Sequence, residues 1–499
     1  MTSTTPSEHL DILVIGAGIS GIGAGHYIHT DLPQKTFAIL EGRSTFGGTW
    51  DLFKYPGIRS DSDLHTFGYE FKPWESKDSI ADAHKIIDYL RETIEENDLG
   101  DKIRYNHKVL SADWSSEDAR WTVQVEHNGE QFAMTANWIF FGSGYYDYEQ
   151  GFTPEFAGRD RFEGQIIHPQ FWPEDLDYAG KKVVVIGSGA TAVTLVPSLL
   201  IGEKAAEHVT MLQRTPTYVM PVPKQDPITN AMHRVFGHKI GHELARKRFI
   251  WQQRGVYVFA QRFPTAARKV IRSVNAKRLP KDYPVDVHFN PPYNPWDQRL
   301  CAVPNGDLFR VIRNGTASVV TDKIVTFDET GIELASGEHL DADIIVTATG
   351  LNLKLFGGVE LAVDGRPVHI PEAVIHRGAM LSGVPNVAIA IGYTNSSWTL
   401  KVGMLFRYIT RLINTMDKQG QDIAVAVADP DMATRPALDF EAGYVQRALK
   451  ELPRQGETDD WRMSMSYFED AKRLSRELSL DESSGLRLSS SRRSAPATV

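Results

Sequence analysis

Cysteine is almost missing: Cys301 is the single one in 499 residues. One thiol cannot form an internal disulfide, nor can it supply the cysteine pair that a dithiol–disulfide oxidoreductase needs. The same scarcity fits a reducing compartment. Long apolar runs are missing as well, and nothing approaches the roughly 18 consecutive apolar residues of a membrane span. The first such run, Leu10–Ile15, is too short for a signal h-region and ends in glycine, so a cytoplasmic location is expected. An excess of positive charge is lacking too: the formal net charge of -9 argues against general nucleic-acid binding. What remains, 42% hydrophobic and 23% charged residues, is an ordinary globular composition in a chain too long for one core, so two or three domains are expected.

Asp11–Ile15 has the continuous apolar character of a buried parallel strand and runs into Gly16-Ala17-Gly18-Ile19-Ser20-Gly21 and a helical pattern. In such a turn Gly16 permits the tight bend, Gly18 lets a pyrophosphate approach the backbone, and Gly21 lets helix and strand pack closely. A second apolar strand, Thr36–Leu40, delivers Glu41 about 20 residues after Gly21, where a carboxylate takes ribose hydroxyls. The pattern repeats once. Lys182–Ile186 runs into Gly187-Ser188-Gly189-Ala190-Thr191-Ala192, and the next strand, His208–Leu212, ends in Gln213-Arg214-Thr215 where an NAD protein places an acid. Arg214 and Thr215 suit a 2′-phosphate, so this second site is expected to select NADP. The fold class implied is α/β, with two Rossmann-like dinucleotide-binding domains and a helical insert.

The expected boundaries are 10–148 with 341–480 for the first domain, 149–220 with 295–340 for the second, 221–294 for the insert and 482–499 for a Ser-rich disordered tail. Residues 80–96 read as a packed amphipathic helix, and those around 109–114 and 121–125 as strands of a small sheet. Between Asn230 and Val285 stand 13 lysines and arginines against Glu243 and Asp282. The plain reading of this insert is a solvated basic face; attachment to an anionic membrane surface is the alternative. Its apolar members, among them Phe249, Ile250, Trp251 and Val256 to Phe259, are candidates to wall a substrate cavity. The stretch Gly392–Lys401 opens a helix and is a further candidate for the site's lining. No metal site is expected.

Between the two fingerprints lies Phe162-Glu-Gly164-Gln-Ile-Ile-His168-Pro-Gln-Phe-Trp172-Pro173, of the form F-x-G-x-x-x-H-x-x-x-W-P. Earlier in the chain, Gly47-Gly48-Thr49-Trp50-Asp51-Leu52-Phe53-Lys54-Tyr55-Pro56-Gly57-Ile58-Arg59-Ser60-Asp61 keeps the frame G-G-x-W-x-x-x-x-Y-P-G-x-x-x-D. Both resemble signatures of the flavin-dependent Baeyer–Villiger monooxygenases and their flavin-containing monooxygenase relatives, over nearly the whole chain. The branch resembled is the one typified by a mycobacterial monooxygenase that activates thioamide prodrugs. The resemblance implies FAD at the first fingerprint, along Thr49, Trp50, Asp51, Leu52, Arg59, Ser60 and Asp61, with Val109 meeting the adenine through its backbone, and NADPH at the second. It also places an arginine over the flavin, here Arg299 of the Pro-rich loop Asn290–Leu300, with Asp61 orienting it. Gln298 stands where larger members put a lysine. Gly164 and His168 are read as a linker that orients the two domains.

The implied cycle passes hydride from NADPH to FAD, forms a peroxyflavin with O2 and inserts oxygen beside a ketone carbonyl to give an ester or lactone. A lipophilic ketone or sulfide is the implied substrate. The rivals are oxygenation of sulfur or nitrogen by the protonated peroxide, and a non-catalytic flavin-binding regulator. A plain surface ion pair is the alternative reading of Arg299, and a hydrogen-bonded linker residue that of His168.

Overall fold

The computed structural model describes residues 8–298, 300–438, 440, 442–476 and 484–491. Two α/β units carry the two fingerprints. In the first, His9–Ile15 lies between Phe37–Leu40 and Glu130–Phe141, all parallel, and Val387–Ile389 adds in parallel beside Phe141. Four of the five residues Asp11–Ile15 are fully apolar because both faces of this sheet are covered. Beyond Glu130–Phe141 the sheet turns antiparallel, through Arg120–His127 to His107–Ser115, and here alternation returns: Val123 and Val125 are buried and Thr122 and Gln124 are not. The long helix Trp398–Gln419 packs beside the fingerprint helix Ile19–Asp31, with Phe406 stacked on Phe140 of the sheet at 5.8 Å.

The second unit is a five-stranded sheet, entirely parallel, in the order Ala317–Thr321, His208–Gln213, Lys182–Ile186, Ile344–Thr347, Gln165–Ile167. This corrects the expected return to the first domain at residue 341. Ile344–Thr347 pairs on both sides within the second sheet, and the chain leaves it only afterwards, through Leu351–Leu353. A buried parallel strand has the same apolar run whichever sheet it joins, so its sequence does not show its partners. The way out and the way back form a two-stranded antiparallel link, Tyr146–Gly151 with Leu351–Leu353.

The insert is helical, Pro227–Arg262 followed by Pro264–Ala276. No helix among the described residues is long and apolar enough to cross a membrane. The expected disordered tail is corrected in part. Leu486–Ser489 is a strand paired antiparallel with Ile423–Ala426, and Leu486 is buried. The serines hid a short alternation, Leu486 and Leu488 against Arg487 and Ser489, that one exposed edge sufficed to recruit. Residues 482, 483 and 492–499 lie outside the described residues.

Candidate functional site

Close backbone contact builds the first turn. Gly16 holds φ +96°, and a Cβ on Gly21 would fall 1.7 Å from the Gly16 carbonyl oxygen. Gly142, at the end of the neighbouring strand, closes the same contact, since its Cβ would lie 2.7 Å from the Gly21 nitrogen. The Glu41 carboxylate accepts the Ala17 N–H at 2.8 Å and the Arg43 N–H at 2.9 Å, which ties the end of the second strand to the turn. Burial pushes its pKa up against those hydrogen bonds. The second turn is as tight at Gly187, where a Cβ would fall 2.3 Å from the Ala348 carbonyl oxygen, but looser beyond it: Gly189 has no heavy atom within 4 Å of a Cβ position, and Ala192 already carries a methyl where the first turn tolerates none.

Both turns open on one cavity of about 770 Å³ between the units. Of the sequence candidates, Gly16, Gly18, Ser20, Glu41 and Val109 line it from the first sheet. Thr49, Trp50, Leu52, Arg59, Ser60 and Asp61 line it from the loop that follows, and Gly189, Ala190 and Thr191 from the second unit. Gly21, Asp51, Gly187, Ser188, Ala192, Arg214 and Thr215 are not on its wall. Asp51 is held by Arg43 at 2.6 Å and Lys54 at 3.1 Å. Arg214 is exposed beyond the second turn, and its neighbour Thr215 is tied back by Ser188, whose hydroxyl donates to the Thr215 carbonyl at 3.0 Å. Arg299 lies outside the described residues; Gln298, next to it in the chain, is on the cavity wall.

Several candidates are already committed. Arg59 pairs with Asp307 of the second unit at 2.6 Å, both side chains nearly buried, so it fixes one unit against the other. Ser60 donates to the Ser62 carbonyl at 2.7 Å. Tyr55, from the same signature, hydrogen-bonds Thr191 of the second fingerprint, and burial pushes its hydroxyl well above the usual tyrosine range. The glycine two positions on is packed so tightly that a Cβ would fall 1.8 Å from Ser198 Oγ. This loop therefore packs the two nucleotide units against each other.

The motif Phe162–Pro173 lies behind the cavity, and none of its five marked residues is on the wall. Phe162 and Trp172 are buried, and a Cβ on Gly164 would fall 2.4 Å from the Asp343 carbonyl oxygen. His168 holds the link between the units. Its Nε2–H donates to the Gly350 carbonyl at 3.2 Å, its Nδ1 accepts the Gln170 N–H at 3.2 Å, and its ring fills the space beside Gly151. Burial lowers its pKa. A neutral ring with both nitrogens engaged agrees with the linker reading.

Other wall residues carry no motif. Trp398 donates through Nε1 to Ser20 Oγ at 2.9 Å and packs against Tyr145. Tyr148 reaches Thr49 Oγ1 at 3.3 Å, its hydroxyl pushed up to about 12 by burial. Tyr393, in the stretch expected to contribute, donates to the fully buried Asp470 at 2.8 Å. Clusters of Tyr and Trp around a glycine-rich turn were the available signal. None of the insert's apolar candidates is on the wall of this cavity. Ile250 packs on Tyr393 and Leu400, while Trp251 and Phe259 stay exposed.

The site suits dinucleotides. Gly18 and Gly189 leave open the space a side chain would fill, one before each helix, and Glu41 faces the first of them. Two Rossmann-type units opening on one cavity, without a cysteine pair, define a two-nucleotide oxidoreductase of the α/β class. The family described as flavin-binding monooxygenase-like matches residues 70–356, and an NAD(P)-binding Rossmann-like domain matches residues 14–75. The FAD-containing monooxygenase EthA of Mycolicibacterium smegmatis is 51% identical over 469 residues, 94% of this chain and 95% of that one. The probable FAD-binding monooxygenase AlmA of Acinetobacter baylyi is 48% identical over 472 residues, 94% of each chain. The solved structure of oxidized steroid monooxygenase bound to NADP shares the fold at a TM-score of 0.73 and 24% identity, over 97% of this chain and 100% of that one. The chain belongs to the flavin-binding monooxygenase-like family, which bears out the resemblance carried by its motifs.

Proposed function

We propose that the chain is a Baeyer–Villiger monooxygenase that inserts one atom of O2 beside the carbonyl of a lipophilic ketone, giving an ester or lactone, while the other atom leaves as water. Its cofactors are FAD and NADPH. The observation that carries the reading is the shared cavity, whose wall holds both fingerprints, the Gly47–Asp61 signature and Gln298. When bound, FAD accepts hydride from NADPH and activates O2. Gly16 to Gly21 and Glu41 would hold its pyrophosphate and ribose, with Thr49, Trp50, Leu52 and Val109 along it. The turn Gly187 to Ala192, with Arg214 and Thr215, would hold NADPH.

Arg299 and Asp61 take the catalytic roles. A guanidinium stays protonated at any working pH, so residue 299 supplies a fixed positive charge where negative charge grows on the carbonyl oxygen. Asp61 would orient it by a charge-assisted hydrogen bond. Two unit charges about 4 Å apart attract by about 4 kcal/mol at an effective dielectric near 20, enough to select attack on a carbonyl. Trp398 and Tyr145 pack together on the wall near Ser20.

Product analysis with linear, cyclic and aryl ketones beside thioethers tests the reading. The native protein is expected to give esters or lactones. Arg299→Ala should keep its FAD and its NADPH oxidation but lose ester yield by about 100-fold or more. Undiminished ester from that variant would defeat the assignment, and sulfoxide without any ester would make sulfur oxygenation the activity. The insert's exposed Val235, Phe236 and Trp251, among its cations, suit contact with an anionic membrane surface. Sedimentation with phosphatidylserine vesicles at low salt is expected, and protein left wholly in the supernatant removes that contact.

A further inference from the structure

Three histidines converge outside the cavity, and the proposed reaction uses none of them. His65 lies in the short helix Leu64–Phe67 of the first unit, and His233 and His242 lie on the insert helix Pro227–Arg262. That helix is broken at Gly237, where φ 74° and ψ 170° admit glycine alone. The break folds its first turns back, so that His233 packs on Gly241, where a Cβ would come within 2.8 Å of the His233 Cα. One ring nitrogen of each histidine then lies within 4.8 Å of the other two.

His65 and His242 are 1% and 2% exposed, and His233 is half-buried. Yet His65 Nδ1, His233 Nε2 and His242 Nε2 are all buried without a hydrogen-bond partner among the described residues. Buried polar groups are nearly always paired, so three orphans in one cluster ask for a ligand. Two of the opposite nitrogens are engaged: His65 Nε2 meets Ser79 Oγ at 3.3 Å, and His242 Nδ1 accepts the Trp74 N–H at 3.4 Å. A metal-bound imidazole donates its other ring N–H: His65 can do so from Nε2 to Ser79 Oγ, whereas His242 must move its proton from Nε2 to Nδ1 and give up the long Trp74 contact when it binds.

We propose that His65, His233 and His242 form a site for a borderline transition-metal dication of the zinc type, which clamps the insert to the first unit. Zn–N bonds of 2.0–2.1 Å put tetrahedral ligand nitrogens roughly 3.3 Å apart, so the rings must draw in by about 1.5 Å or less. Three imidazoles without a carboxylate disfavour calcium and magnesium. The exposed Glu75, whose charge acts on His233, or a water takes the fourth position. The nearby cations are engaged elsewhere: Arg246 donates to the His65, Thr66 and Gly68 carbonyls, and Arg248 pairs with Asp226 at 2.6 Å. Asp63, two residues before His65, accepts from Gln253 of the same insert helix at 2.6 Å, so the clamp sits close behind the cavity wall at Asp61. The bland alternative is that the rings are core packing, as the stacking of His65 on Phe249 at 5.5 Å would allow.

FAD-loaded full-length protein, stripped with a chelator and titrated with Zn2+ against a chromophoric competitor, decides between them. The expected result is one equivalent bound per chain and a higher melting temperature. His233→Asn, at the half-exposed ligand, should weaken binding by about 100-fold or more and remove the melting shift without changing the melting of the metal-free protein. His238→Asn, whose ring lies 5.4 Å from His233, should bind as the native chain does. Absence of a bound equivalent, or His233→Asn binding as tightly as native, would overturn the site. Neither result bears on ester formation, which stands or falls by the ketone assay.

Discussion

Both nucleotide turns are tight at their first glycine, where a Cβ on Gly187 would fall 2.3 Å from the Ala348 carbonyl oxygen, but at the second and third positions the first turn is sealed and the second is open. Around Gly16 three backbones meet so closely that Gly21 and Gly142 admit no side chain, and Glu41 is buried and hydrogen-bonded to the turn. Around Gly187 the third position is already Ala192, Gly189 faces empty space, and Arg214, expected to meet the 2′-phosphate, is exposed. A sealed turn preorganises its donors and suits a cofactor that stays through many turnovers. An open one suits a cosubstrate that must leave after each. One chain thus uses a single motif at two packing densities.

Gly21→Ala is the harshest way to break the contrast. Overpacking costs about 1–3 kcal/mol where neighbours can give, but here the neighbour is the Gly16 carbonyl, 1.7 Å from the new methyl, and backbone on both sides fixes it. The variant is expected to lose its yellow colour and to melt well below the native protein. Gly189→Ala, with no atom within 4 Å and an ordinary φ of -77°, should keep both FAD content and melting temperature and only raise the KM for NADPH. Absorbance at the flavin band and a thermal melt on each variant suffice. Equal behaviour of the two would erase the distinction between the turns.

The turns were legible because Gly16, Gly21 and Gly187 are forced by contacts that no other residue permits, and Glu41 because its distance from Gly21 is set by one helix and one strand. The linker position of His168 was legible only as a fixed frame of five residues. What fills it, the Gly350 carbonyl and the gap at Gly151, comes from chain 182 residues later and from the other side of the link. The strand Ile344–Thr347 was assigned to the wrong sheet because an apolar run states burial and not partnership. Apolar residues on the insert read as cavity wall, yet Trp251 faces solvent and Ile250 packs on Leu400. Helical periodicity does not show which neighbour a face meets when a single glycine, Gly237, redirects the helix.

Arg214→Ala is the gentler way to sharpen the contrast, because it acts on the open site alone. Gln213 before it is buried and tied by its Nε2–H2 to the His288 carbonyl at 2.9 Å and to Thr321 Oγ1 at 2.8 Å. Thr215 after it is held by Ser188. The backbone at 214 is therefore fixed beside the second turn while the guanidinium stays in water. Hydrogen bonds to charged groups contribute about 1.5–3 kcal/mol, and solvent around an exposed arginine favours the lower end, about a tenfold change in affinity. The variant should need about tenfold more NADPH at half saturation, with its requirement for NADH unchanged and its FAD retained. Raising the ionic strength should narrow the gap between native and variant, since salt screens an exposed charge pair and leaves packing untouched. Steady-state kinetics with both nucleotides at two salt concentrations reads all of this, and an unchanged NADPH/NADH preference would take Arg214 out of the site and leave Thr215 to account for any selectivity.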